Sequence, residues 1–389
     1  MISRYSTEEM QNVWSDKTKF DLMLMVELAH LKSLEDRGVI PSGVYDDVQS
    51  KVFVDFQAIQ KYEKLLHHDI AAFVKTLEEQ AGENGRFIHL ALTSSDVIDT
   101  AYSMQCANTF TYVFAALNQL IDTLYSLEKQ NKNVKFIGRT HGKWAEPVKL
   151  SNFFASHREE FERCRLHLSR ANSEIRIGKT AGPVGEANDF LRDVQFETMS
   201  QLGLFTCPSP TQVIPRDIYA NFFMNFSQIA NAIERLATNI RNMSREEIGE
   251  LEEYYETSTQ QGSSSMPHKK NPIMCENLCG IARMIRHMAY TLHENTVLWD
   301  QRDISNSSVE RVTAPDISNL THFSLLRMNK VIKSLKVNEE RMKENLEKAS
   351  KVSNSSQRLT ELILSGKNRQ EAYEQIKKET QNISNRMLG

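Results

Sequence analysis

Glycine and proline are scarce in this chain, 15 and 9 among 389 residues, which leaves few places for tight turns or strand punctuation. Val/Ile/Thr-rich alternating runs bounded by turns do not recur either, so a sheet-based core has little support. No apolar run approaches the length of a membrane span, and the opening MISRYSTEEM lacks the basic-then-apolar pattern of a secretion signal. The cysteines, Cys106, Cys164, Cys207, Cys275 and Cys279, are odd in number and form no C-x-x-C pair. A disulfide framework is therefore not expected, and a reducing compartment is. Charge of one sign is missing too: 47 basic residues are interleaved with 50 acidic ones, for a net charge of −3, which excludes a global field for nucleic acid. These absences describe a soluble cytoplasmic protein in which anion binding falls to local pockets.

What is present is helical rhythm. Val113, Leu117, Leu120, Leu124 and Leu127 alternate four- and three-residue spacings, and Ile229, Ile233, Leu236, Ile240 and Met243 do so again; such stripes pack helices side by side. At about 1.5 Å per residue, the stretch from Phe222 to Arg245 would span roughly 30 Å or more. A mostly α bundle of long helices is expected, in a chain long enough for two or three domains. Breaks fall at 37–43, 80–86, 133–147, 178–189, 207–217 and 261–277. They lie at helix ends, where binding residues are most often carried.

The break QGSSSMPHKKNPIMCEN, residues 261–277, is chemically unusual. Asn271-Pro272 suits the start of a helix, and the apolar rhythm Ile273, Leu278, Ile281, Ile285 follows. The free amides and positive dipole end of that helix, with Lys269 and Lys270, favour an anion. A solvated turn is the plain alternative; His268 and Lys269 immediately before a helix set this loop apart. A phosphate-binding P-loop is excluded, because His268 precedes Lys269 where glycine is needed, and the GKT at 178–180 has Ser173 in the earlier glycine position. No GxGxxG follows a strand and no HExxH exists. Cys275 and Cys279, four apart with no adjacent histidine, read as buried helix cysteines rather than ligands.

Three further segments are dense in polar chemistry: RFIHLALTSSDVIDT from Arg86, GRTHGKWAEP from Gly138, and WDQRDISNSSVER from Trp299. Each could be a capped helix end. Each also places His or Arg beside hydroxyls and acids, as an anionic substrate requires: arginine for carboxylate or phosphate, histidine for proton transfer.

The loop GSSSMPHKKNP resembles the signature loop of the fumarase/aspartase superfamily. With ISRYS, HHDIAAF, RFIHLALTSSD, GRTHGKWAEP, TQVIPRD and RDISNSSVER, in family order from residue 2 to about residue 376, the chain resembles the adenylosuccinate lyase family. The resemblance implies an all-α, three-domain fumarase/aspartase-like fold. Residues 1–93 would form an N-terminal helical domain and 94–341 a central long-helix bundle carrying the signature loop 262–272. Residues 342–389 would form a short C-terminal helical domain, abbreviated because relatives usually continue through further helices.

The activity implied is that of a carbon–nitrogen lyase of purine nucleotide synthesis, a β-elimination of fumarate from adenylosuccinate, giving AMP, and from SAICAR, giving AICAR. By the same resemblance Ser263 is the base, His141 the acid, Lys269 the stabiliser of the carbanion, and Glu276 the group that positions His141. Arg4 and Tyr5 would hold the nucleotide, His68 and Asp69 orient the substrate, His89 bind phosphate, and Thr93 and Ser94 bind the succinyl carboxylate. Gln212, Asn271, Arg302, Ser307 and Arg311 would complete the pocket. The resemblance implies no cofactor and no metal. It implies no nucleic-acid or membrane partner, only small-molecule substrates and further copies of the chain in a homotetramer with shared active sites. Trp144, Ala91, Gln301, Asn306 and Glu186 depart from the usual family residues, near the proposed catalytic positions but not at them. The competing readings are a paralogous lyase acting on another N-substituted aspartate such as argininosuccinate, and a catalytically silent helical scaffold. His268 and the RYS start favour the purine type over the first, and the joint presence of Ser263, His141 and Lys269 argues against the second.

Overall fold

The computed structural model describes residues 2–186, 189–256, 265–266, 268–350 and 353–387, the side chains of 189–190 and 380–387 excepted. The chain divides into two compact units. The first is made of Met1–Leu117, Cys164–Asn231 and Ile281–Leu325, the second of Asn118–Arg163, Ala232–Gly280 and Leu326–Gly389.

Short helices open the chain: α1 (Glu8–Val13), α2 (Asp16–Asp36), α3 (Val44–Gln49), α4 (Phe56–Leu66) and α5 (Asp69–Ala81). Their starts are chemically marked. The Ser15 hydroxyl accepts from the amide of Thr18 at the head of α2, and the Asp55 carboxylate accepts from Gln57 and Ala58 at the head of α4, each satisfying amides that have no partner within the helix. In the first unit Phe20, Met23, Val26 and Leu34 of α2 meet Ile59 of α4 and Ile70, Phe73 and Leu77 of α5 in one buried cluster. Fully burying such a side chain contributes about 1.5–3 kcal/mol.

The long helix α6 (Ser94–Gln130) follows, then the strands β1 (Lys135–Thr140) and β2 (Lys143–Lys149) and the long helix α7 (Leu150–Ile175). Next come β3 (Ile177–Gly178), α8 (Asp189–Gln201), β4 (Phe205–Thr206), α9 (Arg216–Met243) and β5 (Leu251–Glu252). The chain continues with α10 (Ile273–Glu294), α11 (Ser305–Lys333), β6 (Lys336–Val337), α12 (Glu339–Ala349), α13 (Ser355–Leu364) and α14 (Arg369–Met387). Helix dominates, as the apolar rhythm predicts: Val113, Leu117, Leu120 and Leu124 are buried, and so are Ile229, Ile233, Leu236, Ile240 and Met243. All five cysteines are buried, and none of them is in a disulfide. Among the described residues no helix is long and apolar enough to cross a membrane.

The break at 133–147 is more ordered than its composition suggests. There β1 and β2 pair antiparallel, with Thr140 opposite Lys143, so that His141 and Gly142 form a two-residue turn. Both have positive φ, 53° and 72°, the geometry whose twist matches a hairpin. The register shifts between Ile137 and Arg139. Gly138 lies at that shift, where a Cβ would stand 2.7 Å from Val148 Cγ2 and 2.9 Å from the Glu146 carbonyl oxygen.

Candidate functional site

In the first unit, TSSD makes the carboxylate half of a capping box at the head of α6. The amide of Asp96 donates to the Thr93 carbonyl, and the Thr93 amide donates back to Asp96 Oδ2 at 2.8 Å, so the residue three positions into the helix satisfies its start. Asp96 is fully buried and does more. Its Oδ1 takes the ammonium of the equally buried Lys179 and the Ala181 amide, and its Oδ2 takes the Gly182 amide. One carboxylate thus ties Thr93 and Ser94 to the 179–182 segment. A buried acid is tolerable here because it is paired and surrounded by donors.

His89 stands just before this box. Its Nδ1 is 2.6 Å from Glu27 Oε1, and its amide donates to Glu27 Oε2 at 3.0 Å. Burial works against the imidazolium, but the hydrogen bond and charge of Glu27 outweigh it and raise the His89 pKa above its ordinary value. His89 and Ala91 both occupy the left-handed region, at φ 59° and 62°, a conformation that costs a residue with a Cβ roughly 1–2 kcal/mol. Ala91 is one of the family departures, and glycine would hold that backbone without the cost.

A cavity of about 220 Å³ in the same unit gathers Lys19, Arg302, Ser307 and Arg311, with Trp14 and Tyr102 among its walls. Arg302 Nη1 donates to Gln212 Oε1 at 3.1 Å, and Arg311 Nη2 to Asp69 Oδ2 at 2.5 Å. Burial, together with the charge of Arg311, lowers the Lys19 pKa. Behind them Arg216 forks onto Asp99 at 2.8 and 2.7 Å and lies 3.0 Å from Glu310. Burial disfavours that guanidinium, but Asp99 and Glu310 overcome it and raise its pKa, while burial raises the carboxyl of Glu310 despite Arg216. His68 caps α5, accepting the Ala71 amide at Nδ1, and is exposed. Arg4 is exposed, and the Tyr5 ring meets Phe323 edge-on, 5.4 Å between centroids. Arg4, Tyr5, His68, Asp69, His89, Thr93, Ser94, Gln212, Arg302, Ser307 and Arg311 all belong to the first unit.

Of the proposed catalytic residues, His141, Lys269 and Glu276 fall in the second, with Asn271. His141 is exposed at the hairpin tip. Two residues back, Arg139 donates to both oxygens of the fully buried Glu250, each at 2.9 Å. Lys269 and Glu276 are exposed and Asn271 is half-buried, and Glu276 stands in the first turn of α10. Ser263 lies outside the described residues, as do its neighbours from 257 to 264. The amides that open α10 are occupied from within: Met274 and Cys275 donate to the Glu253 carboxylate at 3.1 and 2.6 Å. The anion at this helix start is therefore supplied by the chain, which takes those two amides from any role in steadying Ser263.

Lys19, Glu27, Lys179 and Glu250 escape sequence reasoning. A lone acid or lysine within a helical or loop segment looks like a solvated position, and no local spacing announces a partner tens of residues away. Asp96 and Glu310 carry some signal, since both lie in segments dense with hydroxyls and charge.

Comparison with known proteins follows this geometry. A sequence model of a family described as lyase matches residues 4–286. Curated adenylosuccinate lyases align along nearly the whole chain. That of Thermotoga maritima is 38% identical over 378 residues, 97% of this chain and 88% of that protein. That of Bacillus subtilis is 35% identical over 376 residues, 97% and 87%. Among solved structures, a fumarate lyase from Mesorhizobium sp. BNC1 superposes with a TM-score of 0.88 at 19% identity, covering 99% of this chain and 89% of its own. A 3-carboxy-cis,cis-muconate lactonizing enzyme from Pseudomonas putida does so at 0.86 and 22%, covering 98% and 87%. At those identities the structural likeness speaks for the fold, which is all-α and fumarase/aspartase-like.

Proposed function

Since the chain belongs to the adenylosuccinate lyase family of the fumarase/aspartase superfamily, we propose that it releases fumarate by β-elimination from adenylosuccinate and from SAICAR, in purine nucleotide synthesis. The observation that carries this reading is identity of 35–38% to curated adenylosuccinate lyases over 96–97% of the chain. The cavity bearing Lys19, Arg302, Ser307 and Arg311 supports it, because guanidinium forks and a hydroxyl suit a phosphate.

The chemistry needs a base and an acid on either side of one C–N bond. Ser263, as the alkoxide, takes the proton from the carbon next to the one that bears the departing nitrogen, and the electron pair left there delocalises into the adjacent carboxylate, whose charge Lys269 balances. The pair then forms the fumarate double bond as the C–N bond breaks, and His141 protonates the leaving nitrogen. Glu276 orients His141. Thr93 and Ser94 hold the succinyl carboxylate, on the loop that Asp96 fixes. His89, paired with Glu27, faces phosphate, and Arg4 and Tyr5 hold the nucleotide with Gln212, Asn271 and the cavity residues. No metal or cofactor has a step to perform.

The assembly belongs to the same reading: a cytoplasmic homotetramer whose active sites draw on several copies. Val297, Trp299, Ile304 and Val312 of the first unit are each more than three-fifths exposed in a single copy, as apolar side chains are when another copy covers them.

The test is direct. Purified protein is mixed with adenylosuccinate, SAICAR or argininosuccinate, and fumarate is followed spectroscopically. Turnover of the two purine substrates is expected. Release from argininosuccinate alone would transfer the site to the other substrate class, and no release from any would leave the scaffold reading.

A further inference from the structure

The geometry points to Glu250 and Asn345 as positioning residues for the His141 imidazole, acting through Arg139; this rests on the reading of His141 as the acid of the elimination. His141 is exposed at a two-residue turn, a place where a side chain is ordinarily free to wander. The strand leading to it is not regular, because the ladder shifts register between Ile137 and Arg139. Beyond that shift Arg139 and Thr140 pair with Trp144 and Lys143, so the tip is joined to the rest of the ladder across an irregularity.

Arg139 supplies what the ladder lacks. Its guanidinium makes two contacts of 2.9 Å with Glu250 and a third, of 3.1 Å, with the carbonyl of Ile137 on its own strand. Two parallel hydrogen bonds fix orientation as well as distance. Glu250 cannot drift in turn: it is fully buried, and its Oε1 also accepts from Asn345 Nδ2 of α12 at 2.8 Å. Asn345 is itself held, donating to the Ile248 carbonyl at 3.0 Å, while Arg341 of the same helix donates to Ile248 and Glu247 carbonyls.

The opposite strand has its own tie. The Glu146 carboxylate accepts from the amides of Asn354 at 3.1 Å and Ser356 at 3.3 Å, at the head of α13. One buried and one capping carboxylate thus fasten both strands of the hairpin to the segment after residue 338. Glu250 is the sharper of the two, because a buried carboxylate that loses its guanidinium partner must rearrange. A displacement of the acid by about 1 Å is enough to cost on the order of a hundredfold in rate.

The experiment compares Glu250→Gln and Arg139→Lys with the unaltered protein in steady-state fumarate release. Glu250→Gln is expected to lower kcat roughly ten- to a hundredfold with KM within about twofold, the split left by a displaced acid rather than a lost binding contact. In a His141→Gln background the same Glu250→Gln change should leave the residual rate unaltered, since the group it positions is gone. Arg139→Lys keeps the charge but not the fork and should show the same split, smaller in size. It also serves if Glu250→Gln does not fold. Unchanged kcat in Arg139→Lys, or an equal loss from Glu250→Gln with and without His141, would overturn the inference. A parent protein that releases no fumarate would sink the functional reading instead. The inference is then decided by hydrogen exchange of the 138–142 amides, which Glu250→Gln must accelerate and which, if unaltered, refutes it.

Discussion

Arg311 and Asp69, 242 positions apart in the chain, are joined by a hydrogen-bonded ion pair of 2.5 Å at the edge of the cationic cavity. Burial alone would raise the Asp69 carboxyl, but the hydrogen bond and charge of Arg311 prevail and hold it below its ordinary value of 3.8. The pair therefore stabilises the fold fully above that ordinary value and less as pH falls through the lower folded one. Arg311 is 55% exposed, so screening limits the contribution to about 1 kcal/mol or less.

Asp69→Asn is accordingly expected to act on substrate binding more than on stability. Without the carboxylate, Arg311 loses its fixed direction toward the cavity, and KM for adenylosuccinate should rise by roughly five- to twentyfold, with thermal stability nearly unaltered. Steady-state kinetics beside a melting curve check this. A KM equal to the parent's would remove the pair from substrate handling.

The pair of His89 and Glu27 predicts a pH dependence. Glu27 raises the His89 pKa above 6.5 and so favours the imidazolium; the stabilisation from the pair is complete below 6.5 and disappears as pH rises through the raised value. If His89 meets phosphate, KM should climb as pH rises through that raised value. Glu27→Gln should move that climb to lower pH. Profiles of kcat/KM for the two proteins measure the displacement, and coincident profiles would falsify the assignment of His89.

His157 predicts the opposite direction for stability. Buried beside Phe153 and accepting from Asn239, it is pushed by burial, with the charge of Arg235 adding, down to about 3. Between that value and 6.5 the unfolded chain binds a proton that the folded chain refuses, so stability falls as pH drops through this window, by about 1.4 kcal/mol per pH unit for one group. His157→Phe has nothing to protonate, and its denaturation midpoint should decline less between pH 7 and pH 5. Parallel declines would mean that other groups set the acid limit.

The catalytic assignments can be tested together. His141→Gln and Ser263→Ala should each abolish most turnover while the helical circular dichroism persists, because they alter proton transfer rather than packing. Lys269→Arg should also be poor, since a planar guanidinium does not replace a compact ammonium beside a carbanion. Mixing the His141→Gln and Ser263→Ala proteins, with subunit exchange confirmed, should restore activity if sites draw on several copies, because some then receive both residues intact. An active monomer at assay concentration would sink the shared-site assembly and leave the chemistry standing.

Some of this was legible along the chain because its cause is local. The stripes through Val113–Leu124 and Ile229–Met243 announce long buried helices, since a 3.6-residue period needs only near neighbours to appear. TSSD carries its half of a capping box within four residues, and the segments named by family resemblance contain the candidate site. The hairpin around His141 was not legible, because 133–147 lacks strand alternation and its turn depends on positive φ at His141 and Gly142. Nor could spacing match Glu27 with His89, Lys179 with Asp96, or Glu250 with Arg139, pairs separated by 62, 83 and 111 positions. The sequence by itself determined helix content, family and the chemical types available. Tertiary structure alone decided which charges meet, because a buried ion pair comes from the packing of distant segments and leaves no period in either one.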